Sequence, residues 1–156
     1  MKAKFAVLGL SLAIFITHAA FAQTLPKQIK NYLNTSYKGW KLSPSAKDCG
    51  TETNNGIVKG NFNVDGNLDY TVKFTRGKKG FIIAFLAQKQ GYKPFILHNT
   101  DADDVKYSSL MTWKKGEVFE AEDIKFRLKY DAPADYRCES DVGGIHYYRN
   151  GKFIAY

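Results

Sequence analysis

Phe81 to Ala87 reads Phe-Ile-Ile-Ala-Phe-Leu-Ala, seven residues without a polar side chain. Successive side chains of an extended chain point to opposite faces, so this run is apolar on both and belongs in a central strand covered on both sides. Turn residues bracket it, Gly77-Lys78-Lys79-Gly80 before and Lys89-Gln90-Gly91 after. From Gly56 onward the chain reads as strands at meander spacing. Tyr70, Val72 and Phe74 alternate with Thr71, Lys73 and Thr75, and Ile124, Phe126, Leu128 and Tyr130 alternate with Lys125, Arg127 and Lys129. Both patterns predict a strand with one buried and one wet face. Tyr92 to Leu97 holds Pro94 and reads as an edge strand or a bulge. Asp131 to Asp135, around Pro133, reads as a loop, and Val105 to Trp113 as either a short helix or a strand. Asn150-Gly151, between Gly144–Arg149 and Lys152–Tyr156, predicts a closing hairpin.

Ahead of the strands, Thr24-Leu25-Pro26 opens a helix, with proline in the first turn, where its missing N–H costs nothing. Ile29, Tyr32, Leu33 and Tyr37 follow at helical spacing, and Gly39 ends the run. The expected fold class is α+β, an N-terminal helix packed on an antiparallel β-meander of about six to eight strands, with one disulfide.

Residues 1–22 read as a signal peptide. Lys2 and Lys4 precede the apolar run Phe5 to Ile16, and Ala20-Phe21-Ala22 supplies a cleavage site. What remains, residues 23–156, has the length of one domain. No later segment has the length and apolarity to span a membrane. The expected location is the periplasm or the medium, where one bridge between Cys49 and Cys138 is the simplest outcome for two cysteines. Removing Lys2 and Lys4 from 23 basic residues leaves 21 against 15 acidic ones, a net charge of about +6. That excess favours anionic partners, but it is modest and scattered, and with export it argues against nucleic acid.

Between Ile57 and Arg76, the loop Asn61-Phe62-Asn63-Val64-Asp65-Gly66-Asn67-Leu68-Asp69 sets short oxygen-bearing side chains at every second position around one glycine. That pattern can wrap a hard cation, and the same letters also make a good hairpin turn. Gly60-Asn61-Phe62-Asn63-Val64-Asp65-Gly66-Asn67-Leu68-Asp69-Tyr70-Thr71-Val72 resembles the core of FG-GAP or VCBS-type repeats, roughly Asp-x-Asn-x-Asp-Gly-x-x-Asp before an apolar strand. The overall layout resembles small exported bacterial proteins that carry one such loop. The resemblance implies calcium as cofactor, with Asn61, Asn63, Asp65 and Asp69 giving side-chain oxygens and Asn67 a backbone carbonyl. It covers about 14 residues, has asparagine where the family prefers aspartate at Asn61, and has no second repeat from which to build a propeller. An EF-hand is excluded because the twelfth position is Val72 rather than a bidentate glutamate. With two carboxylates, any affinity belongs to the weak extracellular class.

The remaining constellations are thinner. His98 with Asp101, Asp103 and Asp104 offers a second metal or acid–base cluster, against the reading of solvated acids capping a short helix. His146 reads as a satisfied histidine in a sheet. Lys73, Lys125, Arg127 and Lys129 fall on wet strand faces and, if those strands are neighbours, form a basic face for an anionic partner. No serine sits in a Gly-x-Ser-x-Gly turn, so no catalytic constellation is recognised. The reading is a non-enzymatic exported binding or envelope-associated domain, its partner an unidentified protein or an anionic envelope component. The alternatives are an inhibitor or immunity-type protein for a secreted enzyme and, last, a hydrolase using the acidic loops.

Overall fold

The computed structural model describes residues 24–45, 55–138, 140 and 143–156. Helix α1, Lys27–Ser36, is followed by β1, Lys41–Leu42, and β2, Ile57–Gly60. Two long strands come next, β3, Asp69–Arg76, and β4, Lys79–Gln88, then β5, Gly91–Asp101. These five strands form one antiparallel sheet. The chain β3-β4-β5 runs across it, while β1 and β2 lie end to end along the outer edge of β3. Pro94 sits on the edge strand β5, whose register with β4 shifts between Ile82 and Ile83, as its sequence suggested.

The short helix α2, Ala102–Lys106, leads into β6, Ser108–Trp113. The hairpin β7, Val118–Ala121, and β8, Ile124–Arg127, stands as its own two-stranded sheet. Strands β9, Ala132–Arg137, β10, Gly143–Arg149, and β11, Lys152–Ala155, join β6 in a second antiparallel sheet of order β11-β10-β9-β6. Asn150 (φ 52°) and Gly151 (φ 82°) both take the left-handed conformation that the tight β10–β11 turn demands.

Both faces of the first sheet are buried. On one, Val72, Phe74, Phe81, Ile83 and Phe85 meet Ile29 and Leu33 of α1, both 0% exposed. Phe74 and Phe81 stack, and Tyr37 packs edge-on against each. Each such buried side chain contributes about 1.5–3 kcal/mol of transfer free energy, so the amphipathic stripe of α1 is sufficient reason for it to dock here. The opposite face carries Thr71, Lys73, Ile82, Ala84 and Leu86 and is covered by α2 and the second sheet. Gly80 permits the approach of α2, because a Cβ there would lie 2.4 Å from Val105 Cγ2. Phe95 of β5 packs against Tyr148 and Phe153 of the second sheet. The far face of the second sheet, with Ala132, Ala134, Ile145 and Tyr147, is capped by Phe119 and Phe126 of the β7–β8 hairpin.

The α+β meander expected from the sequence is therefore corrected. Of the described residues 55% are strand and 12% helix, a mostly antiparallel β protein with three sheets and two short helices among them. The strands after α2 do not extend the first sheet; they stack on it. The physical reason lies in β4, whose two apolar faces need two covers, and a single helix supplies one. Asp131 to Asp135 is not all loop, since β9 runs through Pro133, one residue beyond the β9–β10 ladder that begins at Ala134. Cys138 is the one cysteine among the described residues and is not free; the pairing expected with Cys49 falls outside the described residues, as does the expected signal peptide at residues 1–22. Among the described residues no helix is long and apolar enough to cross a membrane.

Candidate functional site

The Asn61–Asp69 loop folds on its own hydrogen bonds. Asn63 Oδ1 accepts the N–H of Asp65 at 3.2 Å, Asp65 Oδ1 accepts that of Asn67 at 2.8 Å, and Asn63 Nδ2 donates to Asp65 Oδ2 at 3.0 Å. Burial works against ionisation of Asp65, and the bonds with Asn67 and Asn63 together outweigh it and hold its carboxyl below the usual range. Asp69 is fully buried. Its two oxygens accept the N–H groups of Phe62, at 2.7 Å, and Ala87, at 2.8 Å, which ties the loop to β4. Burial pushes Asp69 up to about 6 in spite of those two donors. Asn61 Oδ1 is buried without a hydrogen-bond partner. Calcium takes six to eight oxygens turned toward one point. Here the oxygens of Asn63, Asp65 and Asp69 face N–H donors instead, so the set as folded does not fit the shell that the resemblance implies. Val64, at φ 72° and 64% exposed, is the loop's strained residue.

The four basic positions expected on one wet face do not share one. Lys73 is 0% exposed: its Nζ donates to the carbonyls of Ser108, of Val105 at 3.1 Å and of Pro44 at 3.4 Å. Burial lowers it to about 8, with the charge of Asp135 opposing that shift. The alternation around Lys73 did predict which face it is on, but a second sheet covers that face. Lys125 is exposed and paired with Glu120 at 2.6 Å. Arg127 and Lys129 remain, and Arg149 of β10, which the sequence reading left out, joins them.

These three cations rim a cleft of about 460 Å³ between β8 and β10. Its walls are the rings of Phe126, Tyr130, Tyr147 and Tyr156. Tyr130 and Tyr147 stack with centroids 4.5 Å apart and planes at 7°, and Phe126 lies 5.3 Å from Tyr147 and 5.1 Å from Tyr156. The rings are pinned at their polar ends as well. Tyr147 Oη accepts the N–H of Lys129 at 3.1 Å, and Tyr130 Oη donates to the carbonyl of Tyr148. Burial, then the neighbouring Tyr147, raises the Tyr130 phenol far above its ordinary value, so it stays a neutral donor. Arg127 donates to the carbonyl of Gly116, and Arg127, Lys129 and Arg149 make no ion pair among the described residues. None of the described lining residues is an aspartate or a glutamate. A rigid aromatic wall beneath uncompensated positive charge suits a ligand with a flat or puckered ring and an anionic group.

A second polar centre lies between the two sheets. Cross-strand pairing places Lys73, Ile82 and His98 in one row on the inner face of the first sheet. From the second sheet Asp135 and His146 face them. His146 Nε2 lies 2.6 Å and His98 Nε2 3.4 Å from the same Asp135 Oδ1. Burial works to raise Asp135, and the bonds from His146 and then His98 overcome it, holding its carboxyl well below the usual range. His98 is raised, chiefly by its bond to Asp135 and against its partial burial.

His98 does not cluster with Asp101, Asp103 and Asp104, as the sequence allowed. Asp101 pairs with Lys79, Asp103 with Lys106, and Asp104 with Arg137. The meeting of His98, Asp135 and His146 went unseen because Asp135 stood in an expected loop, and pairing across stacked sheets leaves no local spacing to read. Compared with protein-family models, with curated proteins and with solved structures, the chain finds no match in any of the three.

Proposed function

We propose that this chain is an exported binding domain for a carboxylated sugar of an envelope polysaccharide, held in the cleft between β8 and β10. The observation that carries the reading is the trio Arg127, Lys129 and Arg149, without acidic partners among the described residues, at the rim of a cleft walled by four aromatic rings. A guanidinium takes a carboxylate through two parallel N–H bonds, which a lysine or a lone dipole cannot reproduce. The ring faces of Tyr130, Tyr147 and Phe126 offer apolar area to the C–H face of a sugar, at little conformational cost because they already pack on one another. The cleft volume lies within the range of about 300–1,000 Å³ usual for small-ligand sites. Export rests on the signal-like residues 1–22.

The test is calorimetry with the chain expressed behind its own leader. Oligogalacturonate is compared with a neutral malto-oligosaccharide of equal length, at low and high salt. The uronate is expected to bind and to weaken with salt, and Lys129→Gln with Arg149→Gln is expected to weaken it at least tenfold. Equal binding of the neutral sugar, or an affinity untouched by the double substitution, would overturn the reading.

A further inference from the structure

We propose that His98, Asp135 and His146 form a binding site for a divalent transition-metal ion of the zinc type, separate from the sugar cleft and independent of it. The chain has three histidines, His18, His98 and His146. With His18 in the signal-like segment, the other two are the only imidazoles of the expected mature chain, and strands from different sheets bring both to one carboxylate oxygen. Their ring centroids are 5.1 Å apart and their planes lie at 85°.

The geometry is close to what a tetrahedral ion requires. Bonds of 2.0–2.1 Å to imidazole nitrogen and carboxylate oxygen put neighbouring ligand atoms about 3.3 Å apart. The His98–Asp135 pair already stands at 3.4 Å, and the His146–Asp135 pair at 2.6 Å needs to open by about 0.7 Å, within reach of a small side-chain rotation. All three ligand atoms lie within 4.8 Å of one another. The donor set of two imidazoles and one carboxylate is that of open zinc sites, in which water or a ligand takes the fourth position. Access comes from one side. The side chains of His146 and Asp135 are 5% and 16% exposed, and that of His98 is 45% exposed. Lys73 does not take Asp135 as a direct partner, because its ammonium is held by the carbonyls of Ser108, Val105 and Pro44. The carboxylate is thus left to the imidazoles, or to an ion that replaces their protons.

The tag-free full chain, stripped with chelator, is titrated with zinc chloride by calorimetry and with cobalt(II) by absorption. One equivalent of zinc is expected, with cobalt giving the intense visible bands of a tetrahedral centre. His98→Ala removes a half-exposed side chain whose loss does not threaten the core, and it is expected to weaken zinc at least tenfold, since even outer partners of zinc ligands count for 10–100-fold. Asp135→Asn keeps the shape and removes the charge, with the same expected direction. Imidazole nitrogen shifts on zinc addition would place the ion on both rings. No binding at millimolar zinc, or equal affinity in the parent and in His98→Ala, would overturn the proposal.

Discussion

The protein holds two aromatic clusters of similar chemistry and opposite openness. Beneath α1, Phe74, Phe81, Phe85 and Tyr37 are sealed by a ten-residue helix that lays Ile29 and Leu33 flat on the sheet. On the far side of the second sheet, Phe119, Phe126, Tyr147 and Tyr156 are roofed by two four-residue strands. A two-stranded hairpin is too narrow to cover a four-stranded sheet. Two cavities of about 460 Å³ each are left beside it, the cationic cleft and a second lined by Met111, Trp113, Phe119, Ala134 and Ile145. The width of the lid, more than the composition beneath it, separates a sealed core from an open cleft.

Truncating one residue in each cluster tests that contrast most strongly. Leu33→Ala is expected to cost about 3–4 kcal/mol, the range for a fully buried leucine whose cavity cannot collapse. Phe126→Ala, at a half-buried position, is expected to cost about 1–2 kcal/mol, well under the value for a sealed phenylalanine. Urea denaturation measures both. Equal losses would mean that the second cluster is as closed as the first.

Two shielded carboxylates, Asp69 of the first sheet and Asp135 of the second, show opposite consequences. Asp69 meets only backbone N–H dipoles, and burial wins, raising it to about 6; Asp135 meets two imidazoles, and they win, lowering it. The sign for Asp69 follows. Between its ordinary value near 4 and about 6, the folded state keeps a proton that the unfolded chain has released. Its favourable contribution is complete below that window and lost as pH rises through about 6. The stability of the parent relative to Asp69→Asn, measured by urea titration at several pH values, is therefore expected to decline from pH 4 to pH 7. A relative stability that grows with pH would show that the bonds from Phe62 and Ala87 dominate.

Much of the first region was legible from local pattern. The doubly apolar Phe81–Leu86, the stripe of α1 and the edge proline of β5 each follow from steric or periodic rules acting within a few residues, as does the Asn150-Gly151 turn of the second sheet. What spans the two sheets was not. The alternation of Tyr70, Val72 and Phe74 with Thr71, Lys73 and Thr75 is identical whether the second face meets water or other elements, and only the packing of α2, the start of β6 and the chain at Pro44 decides that Lys73 is buried. Asp135 follows a proline that argued for a loop, and neither histidine has a partner at readable spacing. The cleft was half visible: Arg127 and Lys129 stood in the alternating strand, but Arg149 joins them only because β10 lies beside β8.

Hydroxyl groups sharpen the comparison on a smaller scale. Thr71 Oγ1, on the inner face of the first sheet, is buried without a hydrogen-bond partner, whereas Tyr147 Oη in the second cluster accepts a backbone N–H. Removing an orphaned hydroxyl from an apolar site is favourable, and removing a used acceptor is not. Thr71→Val is expected to stabilise the fold by about 1 kcal/mol and Tyr147→Phe to destabilise it by about as much. Thermal melts of both variants test the pair, and destabilisation by Thr71→Val would reveal a partner for that hydroxyl.

The smallest effects separate binding from folding. Arg76 at the end of β3 and Arg149 at the end of β10 are both exposed cations on strands. Neither makes an ion pair among the described residues, so replacing either by glutamine is expected to change stability by less than about 0.5 kcal/mol. Affinity for oligogalacturonate is where they should part, with Arg149→Gln weakening it several-fold and Arg76→Gln leaving it unchanged. Net charge falls by one in both, so a shared loss would point to long-range attraction by the whole molecule. A loss confined to Arg149 would instead place the recognition at the open aromatic cluster, where a guanidinium stands beside rings that the hairpin fails to cover.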